Sequence, residues 1–295
     1  MEAYFIGLSF VLAAILYPLF IRMLKIKNIG QYIREEGPDL HNYKTGTPTA
    51  GGILFILISV LFGVILKVPL VFLLSLSLFG LIGFMDDVAS IYKKDALGLK
   101  AWQKFLLQII FAFGLVSLES TKPIFGVEVS RTLYNIFWIF VIVGASNAVN
   151  LTDGLDGLAG WVFITAILPF GFLKQDIFAI IVAAAVLSFL LYNTRPASIF
   201  MGDTGSLALG AFLATFAMHY NAEDALVFTS TIFIVETLSV IIQVSSFKLF
   251  NKRLFKMSPI HHHFELLGWK EEKIVGIFAG INLLIALTFI VYKMW

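Results

Sequence analysis

Long apolar runs broken by short polar stretches make up almost the whole chain, and the breaks recur at a spacing that suits a bilayer. A helix rises about 1.5 Å per residue, so about 20 apolar residues cross the hydrocarbon core. Ten such runs are predicted as membrane helices, at approximately 3–22, 50–66, 69–86, 104–118, 132–149, 158–173, 176–192, 204–220, 225–248 and 274–293. The shortest divisions are Lys67-Val68-Pro69 and Lys174-Gln175-Asp176, whose charged residues and proline interrupt the apolar pattern. In the connection 119–131, Gly126 lies between Ile124-Phe125 and Val127-Glu128-Val129, which predicts a small β-hairpin. The expected fold is therefore all-α, a polytopic integral membrane protein forming one transmembrane domain over 1–295, with no clear repeat and no low-complexity tract.

Composition narrows this further. The chain is 59% hydrophobic and 14% charged, whereas soluble domains carry about 25% charged residues. The net charge of +2 matters less than where the charges lie. The connections 22–49, 87–103, 150–157, 193–203 and 249–273, with their flanks, hold 16 of the 21 Lys and Arg residues. The positive-inside rule makes that side cytoplasmic, and ten spans then put both termini on the periplasmic side. Arg22 and Lys25 follow the first apolar run rather than precede it, so this segment is expected to be a retained helix. With no cysteine in the chain, disulfide and thiolate chemistry are excluded.

Carboxylates are costly in such a chain and are usually functional. Three acidic motifs lie at the cytoplasmic ends of apolar runs: Phe84-Met85-Asp86-Asp87, Asn150-Leu151-Thr152-Asp153-Gly154-Leu155-Asp156-Gly157 and Phe200-Met201-Gly202-Asp203-Thr204-Gly205-Ser206. Asp86 and Asp87 point about 100° apart on a helix, so they serve different roles, and at a helix C-terminus they oppose the macrodipole. Asn147, Asn150, Asp153 and Asp156 recur every third residue; with Gly154, Gly157 and Gly160 among them, a turn is expected rather than a continuous helix. Thr152 or Asp153 can cap the next helix, and Asp203 can cap the eighth. Asp203 is also a hard oxygen ligand suited to Mg²⁺, which takes one or two carboxylates plus substrate phosphates.

Two further segments on the same side carry candidate chemistry. His41-Asn42-Tyr43-Lys44-Thr45-Gly46-Thr47-Pro48-Thr49 precedes the second run, where Lys44 and the amides after it can hold phosphate oxygens. Its spacing is not that of a Walker A loop. Pro259-Ile260-His261-His262-His263-Phe264-Glu265 lies in the largest cytoplasmic connection. Adjacent histidines suit zinc poorly, since helical zinc pairs sit at i and i+4, but they can bind phosphate or move protons. Lys104 opens the fourth run within reach of the double aspartate, while Lys93 and Lys94 read as charge-bias determinants. Glu236, near the middle of the ninth run, is expected to pair between helices. A transporter would gather its polar groups at the bilayer midplane. Here Glu236 is the only acid at that depth.

Together these residues resemble the polyprenyl-phosphate N-acetylhexosamine-1-phosphate transferase superfamily. Asp86-Asp87, the Asn147 to Gly157 motif and Gly202-Asp203-x-Gly205-Ser206 mark the superfamily; the His41 to Gly52 and Pro259 to Glu265 segments are similar to its phospho-N-acetylmuramoyl-pentapeptide transferase branch. The resemblance covers the whole chain. It implies Mg²⁺-dependent transfer of phospho-N-acetylmuramoyl-pentapeptide from its UDP conjugate to undecaprenyl phosphate, giving lipid I and UMP. The family's other branch, using UDP-N-acetylglucosamine, differs in the histidine loop. For that reaction Asp203 is expected to bind Mg²⁺, Asp87 to assist directly or through water, and Asp86 to orient or deprotonate the attacking lipid phosphate. Lys44, Thr49 and Lys104 are expected at phosphates, and Asn193, Asp156, Gly154, Leu155 and Phe200 at the nucleoside, Phe200 by stacking on uracil. His261, His262 and His263 are expected at the sugar-phosphate or peptide, with Asn147, Asn150 and Asp153 shaping the centre. The resemblance further implies the bacterial inner membrane, a homodimer and no nucleic-acid partner. Ser90 stands where the family often has lysine, and Ala50 where methionine is common.

Overall fold

A computed structural model describes residues 3–27, 29–30, 44, 46–93 and 98–295, so His41 and Lys94 lie outside the described residues. Among them are twelve helices: α1 Tyr4–Ile26, α2 Gly52–Leu66, α3 Leu70–Lys93, α4 Ala101–Ser117, α5 Arg131–Thr152, α6 Leu158–Lys174, α7 Ile177–Asn193, α8 Gly202–Tyr220, α9 Glu223–Thr229, α10 Thr231–Phe250, α11 Ile260–Glu265 and α12 Glu271–Met294. Every predicted run is helical. By length and composition α1, α3, α5, α10 and α12 can each cross a membrane, while α2, α4, α6 and α7 are shorter apolar helices. Leu19, Leu61, Phe140 and Leu284 are among the large apolar side chains left exposed on outward faces, as lipid-facing surfaces require.

α8 is the core of the bundle. Its residues from Thr204 to Met218 are all buried, and α2, α3, α5 and α6 pack around it. A helix apolar on every side must be covered on every side. Close approach depends on a small residue at the crossing with α3: a Cβ on Gly83 would lie 2.0 Å from the Asp203 carbonyl oxygen. The start of α8 is also tied to the start of α2, through Phe200 N–H to the Pro48 carbonyl at 2.7 Å and Gly51 N–H to the Phe200 carbonyl at 2.8 Å.

Four expectations change. First, the ninth run is not one helix: it breaks at Ser230 into α9 and α10. Asn282 of α12, fully buried, takes up the backbone groups at the break. Its side chain accepts from Ile232 N–H at 3.1 Å and donates to the Thr229 carbonyl at 2.8 Å. Orphaned backbone groups in an apolar interior need such a partner. Second, α3 continues to Lys93, so Asp86 and Asp87 lie inside the helix rather than at its end. Third, Phe125 and Gly126 form a tight turn with positive φ, closed by one antiparallel bridge between Ile124 and Val127; no strand forms there among the described residues. Fourth, the capping roles differ. α6 starts at Gly157 without a side-chain cap, and the cap position of α8 is Met201, with Asp203 in the first turn.

Candidate active site

The free amides of α8 are capped from another helix. Asp87 of α3 accepts from Asp203 N–H at 3.0 Å, Thr204 N–H at 3.1 Å and the Thr204 hydroxyl at 2.6 Å. Gly202 makes room for this: its φ is +73°, and a Cβ there would lie 2.5 Å from Asp87 Oδ2. The positive end of a buried helix thus receives a carboxylate. The expected division of labour between Asp86 and Asp87 follows, because Asp86 turns instead to accept from Leu99 N–H at 3.0 Å.

Asp203, one residue into α8, is the meeting point. Its Oδ1 accepts from Asn150 Nδ2 at 2.8 Å, and its Oδ2 pairs with the Lys104 ammonium. Asn150 also donates to the Ser206 hydroxyl at 2.9 Å. Asp86, Asp87 and Asp153 all lie within electrostatic range of Asp203. Asp153, just past the end of α5, has no hydrogen-bond donor among the described residues. Burial, reinforced by the charges of Asp203, Asp87 and Asp156, pushes its carboxyl up to about 8. Asp86, Asp87 and Asp203 therefore face a single ammonium, that of Lys104, while the ammonium that acts on Asp153 is that of Lys44.

A second polar group lies beside the first. Lys44, buried, pairs with Asp156 at 2.7 Å and with Glu271 of α12 at 2.9 Å. Burial works against the ammonium, but the two carboxylates outweigh it and hold Lys44 above the usual lysine range. Arg195 reaches Glu271 at 3.1 Å and Glu272 at 3.4 Å. Asp156 Oδ2 also accepts from Ala197 N–H at 3.0 Å. Glu271 and Arg195 carry no motif and read in the sequence as ordinary loop charges.

The three histidines share a short helix but not a target. His261 is fully buried, 3.1 Å from the equally buried Glu236 without hydrogen-bond alignment. It also presses on the Asp153 turn, where a Cβ on Gly154 would lie 2.3 Å from its Nε2. Glu236 was expected to hydrogen-bond between helices; His261 approaches it, but neither of its carboxylate oxygens makes a hydrogen bond among the described residues. His262 pairs with Glu265 at 2.6 Å, and His263 Nδ1 accepts from Lys256 N–H at 3.1 Å. Successive residues about 100° apart on a helix cannot aim at one point.

Several expected ligands are engaged in holding helices together. Asn147 donates to Gln108 at 2.8 Å and to the Val143 carbonyl at 2.8 Å, joining α5 to α4. Asn193 accepts from Gly157 N–H at 3.0 Å and donates to the Ile199 carbonyl at 2.9 Å, so both ends of its amide are used. Thr49 and Leu155 are buried, and Phe200 is half-buried beside the start of α8. Lys93 donates to the Gly98 carbonyl at 2.5 Å, within the same connection.

The model of the family described as Glycosyl transferase family 4 matches residues 69–221, the stretch that carries Asp86, Asp87, Asp153 and Asp203. Nearly the whole sequence is also shared with curated relatives named phospho-N-acetylmuramoyl-pentapeptide-transferase. The relative from Fervidobacterium nodosum is 56% identical over 293 residues, 96% of this chain and 95% of its own. That from Thermotoga maritima is 50% identical over 294 residues, covering 96% and 97%, and that from Staphylococcus aureus is 47% identical over 303 residues, covering 94% of each. The chain belongs to the phospho-N-acetylmuramoyl-pentapeptide transferase family, multi-pass membrane enzymes of peptidoglycan synthesis.

Proposed function

We propose that the chain transfers phospho-N-acetylmuramoyl-pentapeptide from its UDP conjugate to undecaprenyl phosphate, yielding lipid I and UMP. The observation that carries this proposal is the excess of carboxylate around the start of α8: Asp86, Asp87 and Asp203 against Lys104, with Asp153 adding a fourth. Such a centre is incomplete without a cation, and Mg²⁺ fits its oxygen donors. Among the described residues no three acids or histidines form a metal cage, which accords with a cation that shares its shell with substrate phosphates. Asp203 would hold it. Asp87, whose oxygens already accept three hydrogen bonds from α8, would act from behind Asp203 rather than as a full ligand. Bound Mg²⁺ supplies charge neutralisation between the two phosphorylated substrates.

The protein's own residues orient the reactants. Asp86 positions the attacking lipid phosphate; at neutral pH that phosphate is largely ionised already, its second pKa being about 6. Orientation therefore matters more than proton removal. One lipid phosphate oxygen bonds to the β-phosphorus of the donor, and the bond to UMP breaks. Lys104, released from Asp203, neutralises phosphate charge. Asn150 fixes Asp203, and Phe200 offers a face for the uracil. Lys44 and Asp156 form the wall behind the nucleoside, while His262 and His263 flank the sugar and buried His261 backs the Gly154 turn.

In the membrane we place ten crossings, with α9 and α10 together as the ninth, both termini periplasmic and the acidic cluster on the cytoplasmic side of the inner membrane. The described helices work as one catalytic domain, and two copies associate as a homodimer. The test is UMP release by purified protein given UDP-N-acetylmuramoyl-pentapeptide and undecaprenyl phosphate, with and without Mg²⁺. UDP-N-acetylglucosamine runs in parallel. Release that needs both Mg²⁺ and the muramoyl donor supports the proposal. Release with the N-acetylglucosamine donor alone overturns the substrate, and release unchanged by chelation overturns the metal.

A further inference from the structure

The face that carries the acidic cluster also holds a cavity that the proposed reaction does not use. It lies between the last turns of α10 and the connection 251–258, has a volume of about 460 Å³, and is bordered by Gln243, Phe247, Lys248, Arg253, Lys256 and Leu266. No carboxylate lines it among the described residues. The cations beside the acidic cluster are matched: Lys44 meets Asp156 and Glu271, Lys104 meets Asp203, and Arg195 meets Glu271 and Glu272. Lys248, Arg253 and Lys256 have no carboxylate partner among the described residues. Arg253 lies 6.0 Å above the Phe247 ring, which holds its guanidinium at the mouth.

The wall is rigid. Gln243 accepts from Leu254 N–H and Phe255 N–H, each at 3.0 Å, and donates to the Phe255 carbonyl at 2.9 Å. Ser246 donates to the Lys252 carbonyl at 2.9 Å. Around the basic mouth the surface is strongly apolar, with Phe247, Leu249, Phe250 and Leu254 exposed. Cations at the end of a spanning helix, ringed by apolar groups that only lipid can cover, match a headgroup phosphate above its acyl chains. The guanidinium fork of Arg253 suits phosphate oxygens in a way a lysine does not.

We propose that this cavity between α10 and the connection 251–258 binds the phosphate headgroup of an anionic membrane phospholipid. The occupant would be linked to the histidine helix: Lys256 donates from Nζ to the Leu266 carbonyl at 2.9 Å, at the end of α11, and from its N–H to His263. A phosphate between Lys248, Arg253 and Lys256 thus fastens α10 to α11.

The experiment is native mass spectrometry of the purified full chain, titrated with phosphatidylglycerol or phosphatidylcholine. The wild type is expected to retain one phosphatidylglycerol in preference to phosphatidylcholine. Lys248→Gln/Arg253→Gln, which alters only exposed side chains, weakens that retention about tenfold or more. Arg22→Gln/Lys25→Gln removes the same charge from the end of α1 and leaves it unchanged. Equal retention by the two double variants overturns the proposal, as does displacement of the lipid by excess inorganic phosphate, which would mark a free-anion site. If the first double variant fails to fold, Arg253→Lys decides: it keeps the charge and loses the fork, and undiminished retention in it overturns the proposal.

Discussion

The two ends of α8 carry similar numbers of charged neighbours and treat them in opposite ways. At the C-terminal end the charges of Glu119, Lys122 and His219 are met. Glu119 pairs with His219 at 2.7 Å and with Lys122 at 3.0 Å; Lys122 donates to the His219 carbonyl at 2.7 Å, and Arg131 to the Val116 carbonyl at 2.9 Å. At the N-terminal end Asp86, Asp87 and Asp203 share Lys104, and Asp153 adds a fourth carboxylate beside them. A partly buried charge is tolerable when paired and costly when not. The matched end is scaffold. The unmatched end keeps a negative potential that a cation with its phosphates can relieve, and sites that break the local rules of stability are where function is expected.

The largest effect should come from the unmatched end. Asp203→Ala removes the carboxylate whose two oxygens Asn150 and Lys104 hold, and UMP release should fall by about a thousandfold or more, with the variant still inserted and eluting as the wild type. Retained turnover would break the comparison at its centre. Next in size is Lys44→Met, which strips buried Asp156 of its ammonium and leaves Glu271 to Arg195. Thermal unfolding should register a loss of about 3–5 kcal/mol, and a second substitution, Asp156→Leu, should recover part of it. Asp87→Asn is smaller. It retains one acceptor for the α8 amides but loses the charge at the helix start, so about 1–2 kcal/mol of stability should go, together with activity.

The smallest effect belongs to the matched end and is a pH dependence. The hydrogen bond from His219, aided by Lys122, holds the Glu119 carboxyl below the usual range. Its contribution is present above the ordinary carboxylate pKa and is lost as pH falls through the lowered value. The melting temperature of the wild type should therefore exceed that of Glu119→Gln at neutral pH, and the gap should close in acid. A gap that persists unchanged would show that Glu119 acts by packing alone.

What the sequence made legible follows from what a membrane forbids. Every apolar run became a helix because backbone groups in lipid have nowhere else to bond. Asp86, Asp87, Asp153 and Asp203 stood out for a related reason, their cost in such a setting. Partners were not legible. Nothing in a linear pattern says that Asp87 will cap α8 rather than face a ligand, or that Asn193 will spend its amide on Gly157 and Ile199. Asn147 looked like part of a catalytic series because it is three residues from Asn150, yet a turn of helix directs it to Gln108. The break at Ser230 was hidden because its stabilising group, Asn282, lies 50 residues away.

That break has a mechanical meaning. In an intact helix the direction of one half is fixed by the other through repeated backbone bonds. Between α9 and α10 the joint is instead spanned by the side chain of Asn282, which is anchored in turn to Thr165 of α6 at 3.1 Å. That amide, together with the packing of α10 on α5 and α12, sets the heading of α10. At its far end α10 bears Lys248, and along its length Glu236 meets His261. The aim of the histidine helix is therefore trimmed from the opposite side of the bundle, by a residue that touches neither substrate.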